Sequence, residues 1–159
     1  MSAPARPRGK SSDRSAARLA AVQALYQMEM TGASSSTALT EMQRREGAVS
    51  DEAGTPVAVD DALLKDLVEG VTDRREELDR RIAAHLAEGW SFDRLEVVLR
   101  AILRAGVYEL IARPDVPLRV AISEWVDLAH AFYAGKEPAF VNGVLDRIGR
   151  ESRPGEAKA

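Results

Sequence analysis

Three observations predict an all-α fold. Apolar residues recur at 3–4 residue spacing along most of the chain. No period-2 alternation of any length appears. Breaks at Thr31-Gly32, Gly89-Trp90-Ser91 and Arg113-Pro114-Asp115-Val116-Pro117 help divide the chain into about seven stretches of helical length.

Met1–Ser12 carries Pro4, Pro7 and Gly9 among Ser and Ala, and is expected to be a disordered basic arm. Ser12 or Asp13 can cap a first helix that runs to about Met30, with Leu19, Val22, Leu25 and Tyr26 setting its faces. Arg14 and Arg18 stand one turn apart on it. Ala33–Thr37 reads as a Ser-rich linker, Ala38–Arg45 as a short helix, and the polar Glu46–Pro56 stretch as a loop. Asp60 or Asp61 starts the next helix, whose core stripe is Leu63, Leu64, Leu67, Val68 and Val71. Thr72 or Asp73 then caps a helix carrying Leu78, Ile82, His85 and Leu86 beneath a heavily charged outer face.

After the Gly89–Ser91 break, Ser91 or Asp93 is the expected cap, with Asp93 and Glu96 spaced as a capping box. Leu95, Val98, Leu99, Ile102, Leu103, Gly106, Val107 and Leu110 form the longest clean stripe, which marks a central buried helix with close packing at Gly106. The prolines Pro114 and Pro117 end it. Two more amphipathic helices follow within Val116–Ile148, and Gly135 is placed to cap the first. Asn142-Gly143 would signal a hairpin elsewhere, but here it interrupts no 3.6-residue period and reads as helix. A close neighbour at Gly143 would offset the cost of glycine inside a helix. Glu151–Ala159 is expected to be a polar tail after a single domain over 13–150.

At 159 residues and 45% hydrophobic content, the chain suits one domain with a substantial core. It has no cysteine, and its two histidines have no ligand-like spacing, so no metal site or cofactor is expected. No apolar run approaches the ~20 residues needed to span a bilayer, and the N-terminus lacks an apolar signal core; a cytoplasmic protein without membrane contact is expected. Net charge is −3, but its distribution is uneven. Arg6, Arg8, Lys10, Arg14 and Arg18 oppose only Asp13 at the start, whereas acids outnumber bases across Glu41–Asp61. A basic arm leading into a helix suits phosphate contact. Neither GxxxxGK[ST], GxGxxG nor GxSxG occurs, and no spacing pairs carboxylates for acid–base work, so no catalysis is expected.

The runs DVPLRVAISEWVDLAHAF (115–132) and FVNGVLD (140–146), with LRAILRAGVYEL (99–110) and AVQALYQ (21–27) upstream, resemble the NusB family of bacterial transcription antitermination factors over roughly Arg14–Arg150. The FVNG run is the most specific of these. The resemblance implies two small helical bundles packed together, and a protein that binds boxA RNA of nascent rRNA transcripts as a heterodimer with NusE, a small-subunit ribosomal protein. It implies action on the RNA polymerase elongation complex with other Nus factors. Arg14 and Arg18 fall on the family's arginine-rich segment; Ser15 and Ala16 stand where many members have more arginines. Phe140 and Asn142 match the FVNG run, and Phe140 also suits core packing. Lys136 lies in the preceding turn, and Arg100 is a further expected phosphate contact. Tyr26 and Met30 are expected to meet NusE, although both residue types at helical spacing also suit a core. Lys136–Asn142 is expected to face the same RNA as the basic arm. NusB-like domains also occur at the start of some rRNA cytosine methyltransferases, for whose catalytic domain 159 residues leave no room. The alternative is a non-catalytic helical adaptor without specific RNA binding.

Overall fold

The computed structural model describes residues 10–45 and 58–157. The arm residues Arg6 and Arg8, and the whole Glu46–Pro56 loop with most of the acidic Glu41–Asp61 segment, lie outside them. The described residues form α1 (Lys10–Thr31), α2 (Ser35–Arg44), α3 (Asp61–Asp73), α4 (Arg75–Ala83), a 3-10 turn (Phe92–Arg94), α5 (Val97–Ala112), α6 (Leu118–Phe132), α7 (Glu137–Ser152) and the four-residue α8 (Pro154–Ala157). No strand occurs among them.

α5 is the axis. Every residue from Leu99 to Leu110 except Arg100 is buried, as its stripe predicts. Cross-contacts set the direction of its neighbours. α1 runs antiparallel to it, because Arg18 meets Glu109 while Glu29 meets Arg100. α3 is also antiparallel, through Asp66 to Arg113 and Gly70 to Tyr108. α6 is antiparallel, with Trp125 on Glu109 and Tyr133 on Glu96, and α7 is parallel, with Leu145 at Gly106 and Arg153 at Leu110. α1–α3 thus form one bundle and α4, α6 and α7 pack with α5 in the other. Both share one continuous apolar core.

Close approaches fix the packing. A Cβ on Gly70 would lie 2.0 Å from the Tyr108 ring, so only glycine lets that ring seat. Tyr108 donates to Asp66 (2.6 Å), and burial together with that bond pushes its hydroxyl up to about 12. Gly106 meets Leu145 and Trp125, as expected. Gly143 does not have the close neighbour expected of it: the nearest atom to its missing Cβ is an Arg147 nitrogen at 3.7 Å.

Several boundaries differ from the expectations, each through capping. The Ser-rich stretch is not a linker: Ser34 accepts from the Thr37 N–H and starts α2 at Ser35. α5 begins at Val97, capped by Glu96; Asp93 belongs to the 3-10 turn and no capping box forms. α4 starts without a side-chain cap, so Thr72 and Asp73 do not serve it. Asp60 caps α3, and Gly32 ends α1 at φ 74°. Tyr133, not Gly135, follows α6, and its N–H bonds the Ala129 carbonyl.

The stretch expected as a polar tail instead closes the molecule. Arg153 donates to the carbonyls of Glu109, Leu110, Arg113 and Val116, adding to the backbone bonds that Glu109 and Arg113 already accept and pinning the corner where α5 ends. Glu156 accepts from Leu118 N–H (2.8 Å), at an α6 start whose Pro117 offers no side chain for the task.

Candidate nucleic-acid and partner interface

α5 has two unlike ends, and the expected site residues divide between them. Arg18 lies towards the C-terminal end and is a correction to the expectation: it is 2% exposed and does not face solvent. Its guanidinium is bidentate on Glu109, at 2.9 Å from each of two nitrogens, and Glu109 is 0% exposed. The Trp125 indole donates to the same carboxylate (2.8 Å). Glu124 stands 3.6 Å away and accepts from Ser15 (2.7 Å). A buried charge needs a partner and satisfied hydrogen bonds. This network gives Arg18 both and ties α1 to α5 and α6, so its donors are not available to a phosphate. Arg14, one turn earlier, is half-buried.

Arg100 is likewise turned inward. It donates to the Asp93 and Leu95 carbonyls (2.9 Å each) and pairs with Glu29, which leaves it a brace for the turn before α5 rather than a phosphate contact. Arg104 continues the brace onto Asp79 (2.7 Å) and Glu29, with its guanidinium 4.9 Å above the Phe92 ring. Burial by itself would raise the Glu29 carboxyl, but Arg100 and Arg104 on either side, with Arg75, together outweigh it and hold the carboxyl below its ordinary value.

The other residues stand at the N-terminal end of α5, where side chains are left open. Tyr26 is 41% exposed and Met30 is 58% exposed. With Phe132, Met42, Val98, Glu96 and Arg45 they line an open groove of about 560 Å³ between α1, α2, α5 and α6. Around the corner, Lys136 and Asn142 are exposed and Phe140 is half-buried. Phe140 stacks on Trp90, with ring centroids 5.9 Å apart and planes 25° apart. Trp90 itself is 61% exposed. In the sequence Trp90 reads only as part of the Gly89–Ser91 break; the signal for more is an aromatic in a polar turn beside a glycine, which the structure shows to be left-handed (Gly89, φ 86°).

Arg14 and the Lys136–Asn142 segment stand at different levels along α5. Matching levels along α5 puts Arg14 beyond Glu109 and Phe140 before Gly106. That is roughly 12 residues of helix rise, about 18 Å along the axis.

The chain matches the NusB family model over residues 15–150. It belongs to the NusB family. The transcription antitermination protein NusB of Sphingopyxis alaskensis is 49% identical over 145 residues, covering 91% of this chain and 97% of that one. That of Caulobacter vibrioides is 44% identical over 140 residues, covering 88% and 94%. Among solved structures, Thermotoga maritima NusB superposes with a TM-score of 0.73 at 28% identity, covering 92% of this chain and 97% of that one. A structure of antitermination factors NusB and NusE in complex with dsRNA superposes with a TM-score of 0.70 at 30% identity, covering 86% and 96%. The all-α NusB fold is therefore this chain's fold. The paired bundles around α5 are what position the open end: α1 and α6 supply the groove, and α7 starts beside the Trp90 turn. No helix among the described residues is long and apolar enough to cross a membrane.

Proposed function

We propose that this chain is a transcription antitermination factor of the NusB type. It binds boxA RNA of nascent rRNA transcripts as a heterodimer with NusE and acts on the cytoplasmic RNA polymerase elongation complex, without catalysing a reaction. The carrying observation is where the open apolar side chains lie. Of the large hydrophobics exposed among the described residues (Tyr26, Met30, Trp90, Val120 and Phe132), Tyr26, Met30 and Phe132 line one groove at the N-terminal end of α5, and Trp90 stacks on Phe140 in the first turn of α7. Exposed aromatics in one region suit recognition rather than stability.

Within this reading the surface divides by chemistry. The Tyr26–Met30–Phe132 groove is apolar, with Glu96 and Arg45 at its edge, and suits the protein partner. Lys136, Phe140 and Asn142 suit single-stranded RNA, which is bound by cations on phosphates and rings on bases. Arg14 serves the same strand from a level about 18 Å further along the α5 axis, so the RNA would be stretched along the molecule rather than gathered at one point.

Shift binding to boxA RNA over a salt series, with and without NusE, tests the proposal. Affinity should fall with salt, rise with NusE, and weaken for Lys136→Asp and Arg14→Ala. Tyr26→Ala should weaken NusE capture while leaving the NusE-free RNA affinity in place. Indifference to RNA under all conditions would favour a purely protein-binding adaptor.

A further inference from the structure

Trp90 belongs to none of the residues assigned above, yet it is the most exposed large hydrophobic side chain among those described. Its ring is not loose: one face lies against Phe140. A large aromatic held flat on one side and open on the other is a platform. The face of α7 beneath it continues in a straight line. Lys136, Phe140, Gly143 and Arg147 are spaced four, three and four residues apart, which places them on one stripe of the helix. Within this stripe Gly143 leaves a notch, since only Arg147 comes within 4 Å of where its Cβ would be. Arg147 folds back over that notch by donating from Nε to the Gly143 carbonyl (3.1 Å), and it remains exposed. Cations thus stand on both sides of the stacked pair.

We propose that Trp90 is a base-binding residue. An unpaired nucleobase of the RNA stacks on its open face, with Phe140 as the backing ring, and Arg147 takes an adjacent phosphate across the Gly143 notch. This rests on the antitermination reading and adds two residues, Trp90 and Arg147, to its RNA surface. The stack is sequence-tolerant by nature, because every base offers a flat face. It therefore supplies affinity and register, and leaves base choice to groups such as the Asn142 amide.

The chain carries its own reporter. It has two tryptophans: Trp125 is 0% exposed, and Trp90 is open. Titrating single-stranded boxA RNA should quench the exposed emission and leave the buried emission, which also reports that each variant is folded. Trp90→Ala should lose about 10-fold in RNA affinity, and Trp90→Phe should recover most of it. Replacing one RNA nucleotide at a time by an abasic unit should abolish the quench at one position. Arg147→Ala should reduce the slope of log affinity against log salt by about 0.7. If RNA binds without quenching, or Trp90→Ala binds like the parent chain, the stacking proposal is overturned while the antitermination reading stands. If the parent chain binds no RNA with or without NusE, both fall.

Discussion

The two ends of α5 show opposite ways of treating side chains that water does not favour. At the C-terminal end the buried charges are matched. Arg18, Glu109 and Trp125 satisfy one another in the core, and Arg153 and Glu156 cap the α5–α6 corner. At the N-terminal end, Tyr26, Met30 and Phe132 are left in water along a groove, and Trp90 is left open on Phe140. Residues at the closed end hold the fold, and residues at the open end are available to something else. A cation's position in sequence does not say which class it joins: Arg14 and Arg18 share a helix face only one turn apart, yet only the second is sealed in.

The comparison breaks most directly at Arg18. Arg18→Ala strands the Glu109 carboxylate in the core and should cost about 3–5 kcal/mol in denaturant unfolding. Its effect on RNA binding should follow the loss of folded protein. Full stability with lost RNA affinity would return Arg18 to the binding surface. Gly70→Ala forces the Tyr108 ring to move and should cost about 1–3 kcal/mol, read as a lowered midpoint with unchanged m-value. Arg153→Ala leaves carbonyls at the α5 end without their donor and should cost about 1–3 kcal/mol. At the open end, Met30→Ala should change stability by only about 0.5 kcal/mol while lowering NusE affinity. A large stability loss there would mean that the groove is part of the core.

The smallest effect sharpens the seam between α4 and α7. His85 is bonded to the Arg81 carbonyl (2.9 Å) and to Glu151 (3.0 Å), which together raise its proton affinity above the ordinary 6.5, while its partial burial and nearby Arg147 oppose them. The folded state then favours the protonated ring. Its contribution is complete below about pH 6.5 and is lost as pH rises through the raised folded value. Melting temperature should fall slightly over that window, and Glu151→Gln should flatten the trend.

What the sequence could disclose depended on how local the cause was. The stripes of α5, α6 and α7 are properties of neighbours three and four residues apart, and their helices formed over most of those stripes, shifted only at the ends by their caps. Asn142-Gly143 stayed helical for the same reason. Ser34 misled because serine composition suggests a linker, whereas one hydroxyl on the Thr37 N–H suffices to start a helix. Arg18 could not be read because the carboxylate that buries it is distant in the chain. Arg153 was hidden likewise, since a lone arginine after a helix gives no sign of the four carbonyls waiting for it. The Trp90–Phe140 stack depends on where two turns meet, which no spacing encodes.

The bond from Arg18 to Glu109 spans 91 residues. Helical proteins usually fold fast because most of their contacts are local. Here α1 finds most of its packing early, on α2 and α3, but its buried arginine pairs with a carboxylate made much later. Until α5 and α6 emerge, the apolar side of α1 has only α2 and α3 to rest on, and its buried arginine has no carboxylate. Refolding should therefore show the Arg18–Glu109 pair closing late, after α1 has met α2 and α3, and a nascent chain halted before Glu109 should hold α1 less firmly than the full chain does.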